Sequence, residues 1–445
     1  MTAPSARIAL LPWGNVIEDF LDTIGLSFED FRDEMTGGWL FGYVQALRLA
    51  GVETAIFCVS SRIRRLERHR HRETGVPILV LPAARAYLAL RRRLRDPYGW
   101  SREDALGDVR GRRLAAGLAA REAAPYLATP LRLLAREIRR LGCSALLCQE
   151  YESPRFDASV LLGRLVGLPV FATFQGGDLQ LTALERRLRP VAVRAAAGLV
   201  IGPALEAERV QRRYGVPSRK VGSIPNPLDV STWTPGAREQ ARAELGLPSG
   251  ARVVAWHGRV EIHRKGLDVL VDAWRGLAAL RPHDNLRLLL VGTGTDASAL
   301  RRLVEPVRSV TWIDEYLLDR GRIRRLLSAA DVYVFPSRVE GLPVAPLEAM
   351  ALGLPIVAAD LPGTRQILGG VEAAGGVIVP QEDPDALAAE LARLLADETL
   401  RAKLGRRARE RVETSFSPEA VGHGLRDFFV RNGMRVPPLY STAPV

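Results

Sequence analysis

Short apolar runs alternate with amphipathic helical patterns along almost the whole chain, and this alternation limits the possible folds more than any other feature. Runs such as Ala6–Trp13 (ARIALLPW), Val170–Phe174 (VFATF) and Arg252–His257 (RVVAWH) are brief and apolar. Runs of this kind are typical of strands buried on both faces of a parallel sheet. Because helical segments separate them, the sequence predicts an α/β protein with doubly wound parallel sheets. The other predicted strands are Thr54–Ser60, Val76–Pro82, Leu146–Gln149, Gly198–Ile201, Leu286–Val291, Val310–Ile313, Asp331–Phe335, Pro355–Ala359 and Gly376–Val379.

The length and one turn-rich segment indicate two main domains. A chain of 445 residues suits two α/β domains of roughly 200 residues each. The rigid segment Ile224-Pro225-Asn226-Pro227-Leu228 marks the predicted boundary. We therefore expect domains at 1–224 and 225–417, a terminal helix at 418–432 and a tail at 433–445. Two doubly wound domains in tandem favour a ligand cleft facing the carboxyl ends of both sheets.

The excess of basic residues lies almost wholly in the first half of the chain. Residues 1–225 hold 34 Lys/Arg and 23 Asp/Glu, a net charge of +11, whereas residues 226–445 hold 28 and 27, a net charge of +1. The basic runs include Ser61–Arg72 and Arg91–Arg95. Such a surface suits an anionic acceptor or an anionic membrane surface, and equally an ordinary solvated helix face. Nucleic acid is not expected, because no aromatic residues interleave with these runs and no nucleic-acid-binding motif occurs.

The cysteines and the hydropathy pattern indicate a cytoplasmic protein. No apolar run approaches the roughly 20 residues that span a bilayer, and Met1–Trp13 lacks the features of a signal peptide. Cys58, Cys143 and Cys148 are an odd set without metal-ligand spacing, which is typical of reduced thiols. We expect no metal site, and association with the inner face of a membrane, if it occurs, to be peripheral.

Two carboxylates near a predicted strand end form the first candidate site. The segment 335–362 reads FPSRVEGLPVAPLEAMALGLPIVAADLP, in which Glu340 lies in a loop and Glu348 in the helix that follows. The spacing predicts Glu340 at the helix mouth and Glu348 one to two turns inside. Carboxylates accept hydrogen bonds from sugar hydroxyls, and a helix N-terminus suits phosphate. The alternative is an acidic N-cap followed by a solvated glutamate.

Two cations after another predicted strand form the second candidate site. In WHGRVEIHRKGLD, residues 256–268, Gly258 allows close approach of the backbone, and Arg259 and Lys265 follow in a loop. Two cations in such a loop can hold a diphosphate and offset its charge as it leaves. The alternative is a solvated Arg/Lys pair. The glycine turn Val291-Gly292-Thr293-Gly294 carries little information by itself.

Together these segments resemble the retaining nucleotide-sugar glycosyltransferases of family 4, which have the GT-B fold. Glu340 and Glu348 match the E-x7-E pattern of that family, and Gly258-Arg259 with Lys265-Gly266 match its phosphate-binding pair. The segment 225–229 (PNPLD) resembles its interdomain Pro-Asn-Gly-x-Asp, and Gly37-Gly38 resembles its N-terminal glycine pair. The resemblance implies two Rossmann-like domains facing an interdomain cleft, with the terminal helix returning to the first domain.

The resemblance also implies roles for particular residues. Arg259 and Lys265, next to Gly258, would bind the donor diphosphate, and Gly37 and Gly38 would approach it from the first domain. Glu340 and the backbone of Gly341, Leu342 and Pro343 would hold the transferred sugar, and Glu348 the ribose. Catalysis would rest on Glu340, Arg259 and Lys265. The family requires no metal. The nucleoside-diphosphate sugar is a co-substrate, so the resemblance implies no cofactor.

Three departures from the family pattern affect these expectations. After the strand ending at Phe174 the family usually has a histidine, whereas this chain has Gln175-Gly176-Gly177-Asp178. Gln175 donates a hydrogen bond but cannot act as a general acid or base, so Gln175 and Asp178 are candidate sugar or acceptor contacts. Arg259 and Lys265 are one residue further apart than usual. Pro227 replaces a glycine and should stiffen the boundary segment.

The sequence thus predicts a retaining, metal-independent glycosyltransferase that acts by a front-face mechanism. The acceptor would be a polysaccharide, a lipid-linked sugar or a small molecule. Two alternatives stay open: a nucleotide-sugar epimerase of the same fold and a non-catalytic nucleotide-sugar-binding protein. An epimerase would need acidic residues or histidines that move a proton at the sugar ring, and the sequence offers no obvious set of them. The non-catalytic alternative is supported only by Gln175 in place of the usual histidine.

Overall fold

The computed structural model describes residues 6–36, 38–95, 102–175, 182–281, 284–369 and 375–435. The chain divides into two compact units, formed by residues 1–224 with 421–445 and by residues 225–420. Each unit contains one sheet whose strands are parallel, apart from a single edge strand in the first unit. The predicted α/β class with two doubly wound sheets is confirmed.

The first unit is built on an eight-stranded sheet with the order β3-β4-β2-β1-β5-β6-β7-β8. The chain order reverses between the neighbouring strands β1 and β5, which is a topological switch point. Alternate side chains of each strand enter cores on opposite faces of the sheet: Ala9 and Leu11 lie in one, and Ile8 and Leu10 in the other. The strands are β1 Arg7–Leu11, β2 Glu53–Ser60, β3 Glu67–Arg70, β4 Pro77–Pro82, β5 Cys143–Cys148, β6 Val170–Phe174, β7 Gly198–Ile201 and β8 Val221–Gly222.

The basic run Ser61–Arg72 contains a strand that the pattern of apolar runs does not predict. Within it β3 pairs antiparallel with β4 at the edge of the sheet, and its side chains are largely exposed. Charged side chains on an edge strand discourage pairing with other chains. Arg68 of β3 donates a hydrogen bond of 2.9 Å to the buried carboxylate of Glu137. Part of the basic surface is therefore an edge strand, where burial does not impose an apolar pattern.

The helices of the first unit cover both faces of its sheet. The region 84–127, whose sequence pattern did not indicate element bounds, contains α3, α4 and α5. A π-helix covers Val16–Leu21, and 3-10 turns cover Asp22–Ile24 and Ser218–Lys220. The α-helices are α1 Phe28–Asp33, α2 Gly38–Leu49, α3 Arg85–Arg91, α4 Arg102–Leu106, α5 Gly111–Leu127, α6 Leu131–Arg140, α7 Pro154–Val166, α8 Ala183–Ala195 and α9 Ala204–Tyr214.

The second unit is built on a six-stranded parallel sheet with the order β11-β10-β9-β12-β13-β14. The order reverses between β9 and β12, as in dinucleotide-binding folds. Val253 and Ala255 of β9 enter one core, and Val254 and Trp256 enter the other. The strands are β9 Arg252–His257, β10 Leu286–Val291, β11 Val310–Ile313, β12 Val332–Phe335, β13 Ile356–Ala359 and β14 Gly376–Val379.

The helices of the second unit complete its two layers. Asp383 and Asp397 cap the first turns of α17 and α18, since each side chain accepts a hydrogen bond from a backbone N–H three residues later. The helices are α10 Arg238–Glu244, α11 Ile262–Lys265, α12 Leu267–Leu280, α13 Ala297–Val304, α14 Arg320–Ser328, α15 Ala345–Ala351, α16 Pro362–Leu368, α17 Pro384–Ala396 and α18 Glu398–Ser415.

The last helix, α19 Pro418–Arg431, contributes most of its length to the first unit. Phe428 and Phe429 pack against Phe171 of β6, with ring centroids 6.0 and 4.5 Å away. Gly422 lies so close to α2 that a Cβ there would be 2.0 Å from the carbonyl oxygen of Ala46. Across the described ranges, no helix combines the length and the apolarity needed to cross a membrane.

Candidate functional site

The candidate site of the second unit lies at the carboxyl ends of β9 and β12. These strands are neighbours in the sheet, although about 75 residues separate them in the chain. The strand order reverses between them, and ligands of doubly wound sheets bind at such a switch point. Gly258 and Arg259 follow β9 directly, and the loop with Glu340 follows β12. The topology therefore brings the two candidate sites of the sequence to one edge of one sheet.

Main-chain contacts join the loops after β9 and β10. Gly258 has φ +152° and Gly292 has φ +128°, and a Cβ on Gly292 would lie 1.9 Å from the carbonyl oxygen of Gly258. A Cβ on Gly294 would lie 2.4 Å from the carbonyl oxygen of Val260. Gly292 and Gly294 are required because no side chain fits between the two loops at these positions. The turn Val291–Gly294, uninformative in the sequence, thus supports the loop that carries Arg259.

Lys265 and Glu340 form an ion pair at the centre of this edge. Lys265 ends the single turn α11, and its Nζ donates to Oε1 of Glu340. The hydroxyl of Ser337 donates to the same oxygen over 3.2 Å. The Lys265 and Glu340 side chains are 18% and 10% exposed. The structure therefore pairs a residue predicted to bind phosphate, Lys265, directly with a residue predicted to bind the sugar, Glu340.

Gly266 and Arg338 hold the two loops of this ion pair together. Gly266 has φ +63°, and a Cβ there would be 2.1 Å from the carbonyl oxygen of Pro336. Arg338 donates to both carboxylate oxygens of Asp268 over 2.8 Å and to Glu382 over 2.6 Å. Burial opposes ionisation of Asp268, but the hydrogen bonds and the charge of Arg338, together with backbone hydrogen bonds, outweigh it and hold the pKa below its usual value. Sequence reasoning missed Arg338, since nothing in the pattern distinguishes it from a solvated loop arginine.

Glu348 is buried in the first turn of α15. This position differs from the expected one, because α15 has only seven residues and Glu348 does not lie further inside a longer helix. So short a helix has a weak dipole, and the site depends on side chains instead. Oε1 of Glu348 accepts a hydrogen bond from Nη1 of Arg320, and Oε2 lies 2.7 Å from Nε2 of His257. Sequence reasoning missed Arg320 and identified His257 only as the end of a predicted strand.

Among Glu348, Arg320 and His257, the histidine is the uncharged residue. Burial lowers its pKa to about 3, and the nearby charge of Arg320 acts in the same direction. An imidazole that is neutral near pH 7 carries one proton. Because a carboxylate oxygen is an acceptor, the proton must lie on Nε2 and be donated to Glu348. A signal was present in the sequence: His257 ends the strand immediately before Gly258-Arg259.

Arg259 lies half-exposed at the rim of this edge. It forms an ion pair of 3.3 Å with Glu261. Burial raises the pKa of Tyr316, and the charges of Arg320 and Arg259 oppose the shift, which places the phenol near both guanidinium groups.

The remaining candidates, Gly341, Leu342 and Pro343, form the loop before α15. A Cβ on Gly363 would lie 2.2 Å from the carbonyl oxygen of Gly341, so α16 supports this loop.

The candidates of the first unit lie at the carboxyl end of β6 and near the start of α2. The backbone N–H of Gln175 donates to Oε2 of Glu150 over 3.1 Å, and its side chain is hydrogen-bonded to the buried Tyr43. Glu150 has φ +65°, a strained conformation for a residue with a side chain. Gly38 begins α2, whereas Gly37 and Asp178 lie outside the described residues. Glu150 could not be identified from the sequence, because a strained backbone conformation leaves no recognisable pattern in the neighbouring residues.

Part of the second unit is similar to a known protein family. Residues 251–397 match the family described as glycosyl transferases group 1. This region includes Arg259, Lys265, Glu340 and Glu348.

Two similar proteins are glycosyltransferases by name. The chain is 33% identical over 241 residues to a D-inositol 3-phosphate glycosyltransferase of Nocardiopsis dassonvillei, covering 52% of this chain and 55% of that protein. It is 34% identical over 213 residues to a GDP-mannose-dependent monoacylated alpha-(1-6)-phosphatidylinositol monomannoside mannosyltransferase of Corynebacterium glutamicum, covering 45% and 54%. The chain thus spans about half the length of the curated relatives it matches.

Solved structures share the fold over almost the whole chain. Sucrose-phosphate synthase from Thermosynechococcus elongatus has a TM-score of 0.63 at 20% identity, covering 96% of this chain and 98% of that one. Anabaena HepE in complex with UDP has a TM-score of 0.67 at 12% identity, covering 95% and 99%. These proteins have the GT-B fold, and the present chain shares it.

Proposed function

We propose that this chain is a retaining glycosyltransferase that uses a nucleoside-diphosphate sugar. The observation that carries the proposal is the pairing of two carboxylates with two cations at the switch point of the second sheet: Glu340 with Lys265 and Glu348 with Arg320. A diphosphate needs cations, and a sugar needs carboxylate acceptors for its hydroxyls. The match of residues 251–397 to glycosyl transferases group 1 supports the same conclusion.

In this proposal each group has a chemical task. Arg259 and Lys265 bind the diphosphate, and the backbone after Gly258 approaches it closely. Glu340, once Lys265 turns to the phosphate, accepts hydroxyls of the transferred sugar together with the loop 341–343. Glu348 accepts the hydroxyls of the ribose. The roles of Gly37 and Gly38 at the donor phosphate, and of Gln175 and Asp178 at the sugar or the acceptor, remain predictions from the sequence.

The transfer step follows from these tasks. The bond between the anomeric carbon and the diphosphate oxygen breaks while the acceptor hydroxyl attacks on the same face. The acceptor proton passes to the leaving diphosphate oxygen, so the absence of an imidazole at Gln175 is compatible with turnover. Arg259 and Lys265 offset the charge that develops on the diphosphate. We therefore propose that transfer requires no added metal.

The acceptor proposed here is anionic. The first 225 residues carry a net charge of +11, and two relatives are named for inositol phosphate and phosphatidylinositol mannoside acceptors. A polysaccharide, a lipid-linked sugar or a small molecule can carry such a charge. A lipid-linked acceptor would place the first unit on the inner face of a membrane. The three cysteines, which are buried and unpaired, support a cytoplasmic location.

A calorimetric screen of UDP, GDP and ADP without added metal, followed by transfer assays with the matching sugar conjugates, tests this function. We expect one diphosphate to bind selectively. Glu348→Gln should raise the donor KM by about 10- to 100-fold, since hydrogen bonds to a charged group contribute about 1.5–3 kcal/mol, and should lower kcat less. The exposed Glu410→Gln of the same unit is the control. Binding of a diphosphate without transfer of its sugar would favour the non-catalytic alternative, and donor isomerisation without transfer would favour the epimerase. Failure of all three diphosphates to bind would contradict the proposed function.

A further inference from the structure

His257 contacts Glu348, the residue proposed to bind the ribose, from inside the second unit. It is the last residue of β9, and its backbone carbonyl accepts a hydrogen bond of 3.3 Å from the hydroxyl of Tyr333. The Tyr333 ring packs against the imidazole at a centroid distance of 5.5 Å and an angle of 65°. Only 8% of the His257 side chain is exposed. The strand and this packing therefore fix the direction in which Nε2 points.

Glu348 is held at both of its oxygens. His257 donates to Oε2 and Arg320 to Oε1. The seven-residue helix α15 provides little rigidity of its own, so these two donors determine the plane of the carboxylate. Each carboxylate oxygen accepts about two hydrogen bonds. Among the described residues no other donor contacts the two oxygens, which leaves one acceptor position on each. Two such positions on one carboxylate match a pair of neighbouring hydroxyls.

The two donors differ in how firmly they hold Glu348. Arg320 lies on α14 and its side chain is 32% exposed. His257 is enclosed by the strand and by Tyr333. Removing the imidazole N–H would leave Oε2 without this donor and the carboxylate held by Arg320, without removing its charge.

We propose that His257 is a positioning residue that orients Glu348 to accept both hydroxyls of the nucleotide ribose. This inference rests on the proposed function, because it assigns a ribose to Glu348. It concerns the orientation of the carboxylate and predicts an effect on hydroxyl recognition that is separate from the affinity for the diphosphate.

The test compares each nucleoside diphosphate, UDP, GDP and ADP, with its 2′,3′-dideoxy counterpart by calorimetry on the full chain. For the nucleotide that wild type binds, we expect at least tenfold tighter binding than for the dideoxy form. His257→Leu should reduce this ratio to about threefold or less, with the affinity for the dideoxy form unchanged within about twofold. His257→Gln, which restores a donor to Glu348, should recover most of the ratio.

Tyr333→Phe is the matched control. It removes the hydroxyl that contacts the backbone of His257 but keeps the hydrogen bond between the imidazole and Glu348, so the ratio should stay within about twofold of wild type. An equal loss of affinity for both ligands in His257→Leu would show a purely structural role and overturn the inference, as would an unchanged ratio. If wild type binds a nucleoside diphosphate without discriminating the dideoxy form, the ribose role of Glu348 fails. If it binds none, the proposed function fails as well.

Discussion

Replacing Lys265 by methionine separates the stabilising role of its ion pair from its proposed role in binding the donor. Lys265 is one of only three lysines, with Lys220 and Lys403, among the 62 basic residues of the chain. Methionine keeps most of the length of the side chain and removes the ammonium. Glu340 then keeps its charge, and the hydroxyl of Ser337 remains beside it in place of a cation.

The structure sets the expected magnitudes. Breaking a fully buried ion pair costs about 3–5 kcal/mol, whereas exposed pairs contribute about 0–1 kcal/mol. With 18% and 10% of the two side chains exposed, we expect Lys265→Met to lower the stability of the second unit by about 2 kcal/mol. Adding Glu340→Gln removes the uncompensated charge and should restore about 1 kcal/mol. Donor binding should weaken by about 10- to 100-fold in both variants, because the bond between ammonium and phosphate is lost.

Urea unfolding followed by tryptophan fluorescence measures the first effect, and calorimetry with the selected nucleoside diphosphate measures the second. Four of the seven tryptophans, Trp233, Trp256, Trp274 and Trp312, lie in the second unit. Because the chain has two units, its unfolding is not treated as two-state. The variants are therefore compared by the urea midpoint of the transition that these four tryptophans report. Lys403→Met, at an exposed position on α18 of the same unit, is the control.

Two results would refute this reasoning. The first compares the loss of stability that Glu340→Gln causes in wild type with the loss that it causes in Lys265→Met. If the two losses are equal, the two residues are energetically independent and the ion pair does not stabilise the edge. If Lys265→Met binds the diphosphate as tightly as wild type does, Lys265 is not a phosphate ligand.

Three further predictions test the surroundings of the site. Gly266→Ala should destabilise the second unit by at least about 2 kcal/mol more than Gly250→Ala in urea unfolding: both glycines have positive φ, but only Gly266 faces a backbone oxygen within 2.1 Å. Equal effects would show that the close approach is unimportant. Gln175→His should keep at least about a tenth of wild-type transfer activity, because the position needs only a hydrogen-bonding group; complete loss in a folded variant would contradict this role. Since Asp268 has a lowered pKa in the folded state, its contribution to stability is present above its unfolded pKa of about 3.9 and is lost as the pH falls further. Arg338→Met should therefore flatten the fall in unfolding midpoint between about pH 5 and pH 3, and an unaltered pH profile would mean that the pair contributes nothing.

The fold could be predicted to the extent that burial imposes a local pattern. Of the fourteen strands among the described residues, twelve were predicted, because most of them are buried on both faces and are therefore largely apolar. The pattern missed β3, whose charged residues lie exposed at the sheet edge, and β8, which has two residues. Neither strand is long or buried enough to leave a signal that distinguishes it from a loop.

The candidate site could be predicted where a residue's role follows from its place at a strand end. Arg259 follows β9, and Glu340 follows β12, so parallel topology alone brings them to the same edge. Arg338 and Glu150 could not be found in this way. The hydrogen bonds of Arg338 and the strained φ of Glu150 depend on contacts with other segments.

The amino-acid sequence alone was sufficient for the α/β class, for most strands and for the two groups of candidate site residues, since each follows from local periodicity or from spacing within one segment. The partners of those residues were not accessible in the same way. Lys265 meets Glu340 from 75 residues away, and His257 meets Glu348 from 91 residues away. The neutral state of His257 likewise results from burial and from the charge of Arg320. Pairing and protonation depend on distances and solvent exclusion, which exist only once distant segments have packed together.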